Sequence, residues 1–115
     1  MVPKFRVIMP TFNQVLFTMV LTTYYELLKE YTSFKTIHDT STFASEAEKT
    51  IRWLTHFFVQ HRFQVQEYSI DDTPILVAQF HQNKNLPTGL IYTHYDLELQ
   101  EISSEWKNHP FNLYL

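Results

Sequence analysis

The sequence predicts an α/β fold in which two N-terminal helices precede three strands. Residues 12–34 and 45–61 carry apolar side chains at the spacing of one helix face. The spacing changes to the alternation of a strand over residues 63–68, and short apolar runs follow at residues 75–80 and 90–93. Helices and strands in this order suit a sheet with helices packed on one face.

The first helix is predicted from Phe12 or Asn13 to about Phe34, because its apolar positions recur every three or four residues. Its apolar run Val15–Leu21 is too short to cross a bilayer, so we expect no membrane partner. The positions of the predicted apolar stripe are Leu16, Met19, Val20, Thr23, Tyr24, Leu27, Leu28, Tyr31 and Phe34.

The second helix is predicted to begin at a capping box and to run to about His61. Ser45 can accept a hydrogen bond from the backbone of the first turn, and Glu48 follows three residues later. Glu48 and Arg52 are spaced to pair on the outer face. The predicted buried stripe of this helix is Ala47, Ile51, Leu54 and Phe58.

Three strands are predicted after the second helix. The first begins at Phe63 and is followed by a turn at Asp71–Pro74. The second, Ile75–Phe80, is mostly apolar, which predicts a central position in the sheet. After a turn at Asn83–Pro87, the third strand is predicted at Leu90–Thr93 and ends at His94.

His94 and Asp96 are the candidate functional residues because they follow a predicted buried strand. Open α/β sheets bind ligands at the carboxyl ends of their strands. Side chains alternate along a strand, so positions 94 and 96 share one face. A histidine that binds a metal usually donates its other ring N–H to a carboxylate, and a His-x-Asp sequence supplies both groups.

Composition excludes several classes of function. The net charge of −3 and the absence of a basic run argue against nucleic acid as a partner. A single glycine leaves no Gly-rich phosphate loop. The chain has no cysteine, so a metal site has to use His, Asp or Glu, and a reducing compartment fits. We therefore expect a cytoplasmic protein.

The segment Leu90–Asp96, followed at a distance by Trp106 and Pro110-Phe111, resembles a family of zinc-dependent dipeptidases and deacylases. That family includes acetylornithine deacetylase and succinyl-diaminopimelate desuccinylase. The resemblance extends from roughly Glu26 to Phe111. Upstream, it covers a first loop at Ser33–Ile37, a second helix at Ala47–Leu54 and a first strand at Phe63–Val65.

The resemblance implies a two-zinc hydrolase that cleaves an amide bond in a dipeptide or an N-acyl amino acid. It implies that His94 is a zinc ligand and that Asp96 is the catalytic carboxylate that orients it. Two zinc ions hold a bridging water, lower its pKa and polarise the scissile carbonyl. The implied partners are the small substrate and a second copy in a homodimer.

The sequence departs from the family pattern in two ways. Leu97–Gln100 replaces a Val-Gln-Pro sequence, and His61-Arg62 stand where the family has a helix-ending glycine. The family's remaining zinc ligands and its general-base glutamate follow the Pro-Phe motif, whereas a catalytic zinc needs about three protein ligands. We therefore expect residues 1–115 to be the incomplete N-terminal part of a metallopeptidase catalytic domain, inactive by itself.

Other interpretations stay open. The chain can be a non-catalytic truncated relative whose exposed aromatic residues serve interaction or dimerisation. It can also be a stand-alone binder of one metal ion. His94 can be an ordinary strand-end histidine, and Asp96 can be a carboxylate that caps a loop. We interpret Glu98, Glu101 and Glu105 as a solvated acidic segment and not as metal ligands.

Overall fold

The computed structural model describes residues 11–98 and 106–114, with side chains from residue 18 onward. Two helices, α1 (Thr11–Thr32) and α2 (Phe43–Gln60), precede two strands, β1 (Gln64–Ile70) and β2 (Thr73–Gln79). The strands form one antiparallel two-stranded sheet, which makes this a small α+β arrangement. Residues 1–10, and the acidic residues Glu101 and Glu105, lie outside the described residues.

Helix α1 has nearly the predicted bounds, but half of the described positions of its predicted stripe are exposed. Its C-terminal end packs on α2, where the rings of Tyr31 and Trp53 lie 5.6 Å apart. Met19, Val20 and Tyr24 are all more than half exposed. The periodicity therefore predicted the helix correctly, whereas burial of its apolar side chains at residues 19–24 would require a packing partner that the described residues do not supply.

Helix α2 begins two residues before the predicted capping box. Thr42 precedes its first turn without a side-chain cap, and the Ser45 hydroxyl donates to the Thr42 carbonyl from inside the turn. The capping-box prediction was therefore wrong, because Ser45 already lies within the helix. The predicted outer pair is confirmed, with Arg52 Nη1 lying 3.1 Å from Glu48 Oε1.

The C-terminal end of α2 is a Schellman motif. The Phe63 N–H donates to the Phe58 carbonyl and the Arg62 N–H to the Val59 carbonyl, each at 3.0 Å. The rings of Phe58 and Phe63 lie 5.2 Å apart and supply the hydrophobic contact typical of this motif. Arg62 takes a left-handed φ of 68°, a conformation that glycine adopts more readily than other residues and that is typical of this position in the motif.

The two strands are joined by a two-residue turn. Ile70 pairs with Thr73, so only Asp71 and Asp72 form the loop, and their φ angles are 48° and 61°. Positive φ at both central positions is the feature of a type I′ hairpin turn, which matches the twist of the strands. Pro74, predicted as part of the turn, lies instead within β2.

The third predicted strand is not formed in this structure. Leu90, Ile91 and Tyr92 are 92%, 91% and 80% exposed, and the described residues give them no strand partner. A strand needs a neighbouring strand whose backbone N–H and C=O groups pair with its own, and it needs other elements that cover its apolar side chains. Since β2 pairs only with β1, the prediction that it is a central strand is also wrong for the described residues.

The hydrophobic core that these elements enclose is small. Among the described residues, the buried apolar side chains are Ala47 and Ile51, both on α2. The Cα radius of gyration is 18.4 Å, against about 13 Å for a compact domain of this length. Within the described part of the chain, no helix has the length and hydrophobicity required to traverse a lipid bilayer.

Candidate functional site

His94 and Asp96 lie next to each other, as the His-x-Asp spacing predicts. His94 Nδ1 is 3.4 Å from Asp96 Oδ1, and the two side chains are 67% and 35% exposed. The ring of Tyr92 meets the imidazole at 5.2 Å with an interplanar angle of 82°, an edge-to-face contact. The imidazole is therefore accessible to a ligand from solvent and has a carboxylate beside one of its two nitrogens.

The backbone after His94 is held by a loop between the two helices. We call residues 33–40 the anchor loop and residues 92–97 the site segment. The hydroxyl of Thr36 donates to the Tyr95 carbonyl at 2.6 Å, and Leu97 N–H donates to the Thr36 carbonyl at 2.8 Å. The His38 N–H donates to the Leu97 carbonyl at 2.8 Å and completes a parallel bridge between Ile37 and Leu97.

The side chain of Tyr95 ties the site segment to the hairpin. Its hydroxyl donates to the Pro74 carbonyl on β2 at 2.8 Å. Partial burial raises the pKa of Tyr95, and the negative charges of Asp96 and Glu67 raise it further. The phenol of Tyr95 therefore stays neutral across the physiological pH range and continues to donate its hydrogen bond to β2.

The anchor loop is in turn held by Glu46 in the first turn of α2. Glu46 Oε2 accepts the Lys35 N–H at 3.0 Å, and Glu46 Oε1 accepts a hydrogen bond from Lys49 Nζ at 2.6 Å. The hydrogen bond from Lys49 and the one from the Lys35 backbone hold the pKa of Glu46 below its usual range. The Glu46 side chain is 17% exposed and that of Lys49 is 53% exposed, so the ion pair lies at the surface and is screened by solvent and salt.

Sequence reasoning missed Thr36 and Glu46. The only signal for Glu46 is an acidic side chain near the start of a helix, a common position for stabilising the helix dipole. Thr36 lies in a Thr-rich loop whose pairing with a segment 60 residues later leaves no local pattern. Both roles depend on contacts between residues distant in the sequence.

The other histidines of the chain do not form a metal-binding group with His94 among the described residues. His38 Nδ1 lies 3.0 Å from Asp39 Oδ1, a second exposed His–Asp pair that the sequence did not predict. His61 Nδ1 lies 2.7 Å from the Phe57 carbonyl at the end of α2, and its ring lies 4.4 Å from the ring of Phe57. Within residues 11–98 and 106–114, no three His, Asp or Glu side chains are grouped as a metal site.

The pair fits one part of a zinc site. An imidazole with a carboxylate at Nδ1 is the arrangement of a zinc-binding histidine and its orienting partner. A zinc ion in a catalytic site takes about three protein ligands, whereas the described residues hold two separate His–Asp pairs, His94–Asp96 and His38–Asp39, and no group of three such side chains. The described residues therefore fit one ligand position and not a whole centre.

Trp106 and Pro110-Phe111, the downstream part of the motif, lie in a segment that contacts α1. The hydroxyl of Tyr25 donates to the Leu113 carbonyl at 3.3 Å. Trp106 is about half exposed, and the rings of Phe111 and His109 lie 6.0 Å apart.

Comparison of the chain with protein-family models, curated proteins and solved structures found no match. The resemblance to the zinc-dependent hydrolases therefore stays a prediction from the motif and its spacing.

Proposed function

We propose that this chain is the N-terminal part of a zinc-dependent hydrolase that cleaves amide bonds in dipeptides or N-acyl amino acids. His94 is one zinc ligand, and Asp96 orients it. The remaining ligands come from residues outside these 115. The observation that carries the proposal is the 3.4 Å contact between the accessible imidazole and its carboxylate, directly after an apolar segment.

The chemistry of the pair supports this role. Asp96 beside Nδ1 favours the tautomer with the proton on that nitrogen, which leaves the lone pair on Nε2 for a metal. Zinc, when bound, supplies a polarised water and a Lewis acid for the carbonyl. The chain itself holds the ligand and its tautomer in place. It does not by itself provide a base for the hydrolytic step.

The proposal includes the predicted α/β layer. In the complete catalytic domain, Leu90–Thr93 forms a third strand, and further elements cover its side chains. The high exposure of Leu90 and Ile91 supports this, because burying each such side chain contributes about 1.5–3 kcal/mol to the stability of the fold.

Zinc titration of the 115-residue chain tests the ligand assignment. We expect zinc to perturb the backbone amide NMR signals of residues 92–97 with weak affinity, and the same chain with zinc to hydrolyse neither dipeptides nor N-acetyl amino acids. His94→Ala should remove the response. His56→Ala, at an exposed histidine on α2, is the matched control and should keep it.

Three results would change this conclusion. Turnover of a dipeptide by the pure chain would show that residues 1–115 already contain a complete catalytic site. A zinc response that survives His94→Ala would remove the proposed ligand. Tight binding lost on His94→Ala would favour the stand-alone metal binder. Reading the gene beyond Leu115 gives an independent test, since the proposal requires further Asp, Glu and His ligands there.

A second candidate function is an interaction or dimerisation module without catalysis. The observation that favours it is the exposure of large apolar side chains on the first half of α1 and at Leu90–Tyr92. Sedimentation of the pure chain separates the two functions. A stable dimer that Ile91→Asp dissociates, together with no zinc response at His94, would support the module.

A further inference from the structure

Thr36 is a buried polar residue with contacts on both sides of Asp96. It is 2% exposed, and both its side chain and its carbonyl bond to the site segment. We infer that Thr36 is a positioning residue that sets the orientation of Asp96 toward His94. The inference rests on the proposed function only where it treats His94 and Asp96 as the functional pair.

The geometry explains why one residue can have this effect. The Tyr95 carbonyl belongs to the peptide plane before Asp96, and the Leu97 N–H belongs to the plane after it. Thr36 bonds to both, through its hydroxyl at 2.6 Å and its carbonyl at 2.8 Å. A peptide unit is rigid, so fixing the two planes that flank a residue fixes its φ and ψ. The direction of the Asp96 Cα–Cβ bond, from which the carboxylate extends, follows from them.

Other contacts hold Thr36 itself in place. The Lys35 N–H donates to Glu46 on α2, which fixes the peptide plane before Lys35. On the other side, the Thr40 hydroxyl donates to the Ile37 carbonyl at 2.7 Å. The anchor loop therefore transmits the position of α2 to Asp96, and Glu46 is a second, more distant positioning residue.

Substitution of Thr36 by valine and by serine tests the inference on the full 115-residue chain without zinc. Valine keeps the shape but removes the hydroxyl, whereas serine keeps the hydroxyl. Thr50→Val is the matched control, because Thr50 is equally buried and its hydroxyl donates to the Glu46 carbonyl at 2.8 Å within α2. The readouts are amide hydrogen exchange at Leu97 and His38, and the ¹⁵N shifts of the His94 ring at fixed pH.

We expect Thr36→Val to accelerate exchange at Leu97 and His38 about 5- to 10-fold relative to Thr50→Val, the effect of losing one hydrogen bond. The His94 ¹⁵N shifts should move toward those of free histidine, since Asp96 no longer faces Nδ1. Thr36→Ser should restore both readouts. Equal exchange in Thr36→Val and Thr50→Val, or His94 shifts that do not change, would overturn the inference.

Glu46→Gln provides a second test that preserves the core. Its control is Glu48→Gln, on the same helix but directed to solvent and paired with Arg52. Glu46→Gln should accelerate exchange at Lys35 and, to a smaller degree, at Leu97, whereas Glu48→Gln should change neither. If Glu46→Gln affected Lys35 but not Leu97, Glu46 would hold the loop without positioning the site. None of these measurements uses zinc, so their failure is distinct from failure of the proposed function.

Discussion

Strand β2 and the segment Leu90–Thr93 have similar apolar sequences but different surroundings. β2 follows β1 through a two-residue turn and pairs with it along its whole length, and its inner side contacts α2. Leu90–Thr93 follows a ten-residue connection and has no pairing partner within the described residues. The turn residues Asp71 and Asp72 bring β1 and β2 together locally, so little loop entropy is lost on pairing.

The difference between β2 and Leu90–Thr93 shows what an apolar run can predict. It indicates that a segment tends to form a strand, but it does not indicate whether a neighbouring strand is available to pair with it. The site segment is nevertheless ordered by another route. Thr36 and the side chain of Tyr95 hold its backbone through hydrogen bonds, without a sheet. Three predictions test whether stability resides in the α2–hairpin unit and not in the segment around residue 90.

The largest expected effect comes from the same substitution made in the two regions. Ile51 on α2 is 2% exposed, whereas Ile91 is almost fully exposed. Ile51→Ala should lower the free energy of unfolding by about 2–4 kcal/mol, because it removes buried methyl groups and leaves a cavity. Ile91→Ala should change it by less than about 0.5 kcal/mol. Urea unfolding measures both, and equal losses would show that residue 91 is buried in solution.

A smaller loss is expected when the pH is lowered through the titration of Glu46. Its pKa is lower in the folded chain than in the unfolded one, so the contact with Lys49 and Lys35 contributes stability above the unfolded pKa of about 4.3. This contribution disappears as the pH falls below that value through the folded pKa. Urea unfolding at a series of pH values should show the loss. Glu46→Gln should abolish this part of the pH dependence, and Glu48→Gln should preserve it.

The smallest effect is a gain at the junction between α2 and β1. Arg62 has a φ of 68°, where a side chain is disfavoured and glycine is not. Arg62→Gly should raise the free energy of unfolding by about 0.5–1 kcal/mol. Arg52→Gly, in the middle of the same helix, should lower it by about 1 kcal/mol. A melting temperature for Arg62→Gly below that of the parent chain would contradict the Schellman assignment.

Much of the secondary structure could be predicted because it depends on nearby residues. The helical periods placed α1 and α2 within a few residues, and alternation identified β1. The errors concern contacts. The start of α2 was misjudged because Ser45 and Glu48 satisfy the capping-box pattern, whereas the helix begins after Thr42, whose side chain makes no cap. The third strand was predicted because exposure cannot be read from an apolar run.

The candidate pair could be predicted in part for the same reason. His94 and Asp96 are two residues apart, so their proximity is a local property. Their support by Thr36, and through it by Glu46, joins residues about 50 to 60 positions apart, and no local pattern encodes it. The roles of His94 as a zinc ligand and Asp96 as its partner stay predictions.

The sequence by itself determined the helices, the hairpin and the closeness of an imidazole to a carboxylate, since each depends on residues that are neighbours along the chain. Only the tertiary structure decided that the apolar segment before His94 is exposed and that an interhelical loop holds Asp96. Those outcomes depend on which distant backbone groups and side chains meet, and the free energy of such contacts is set by packing and not by local spacing.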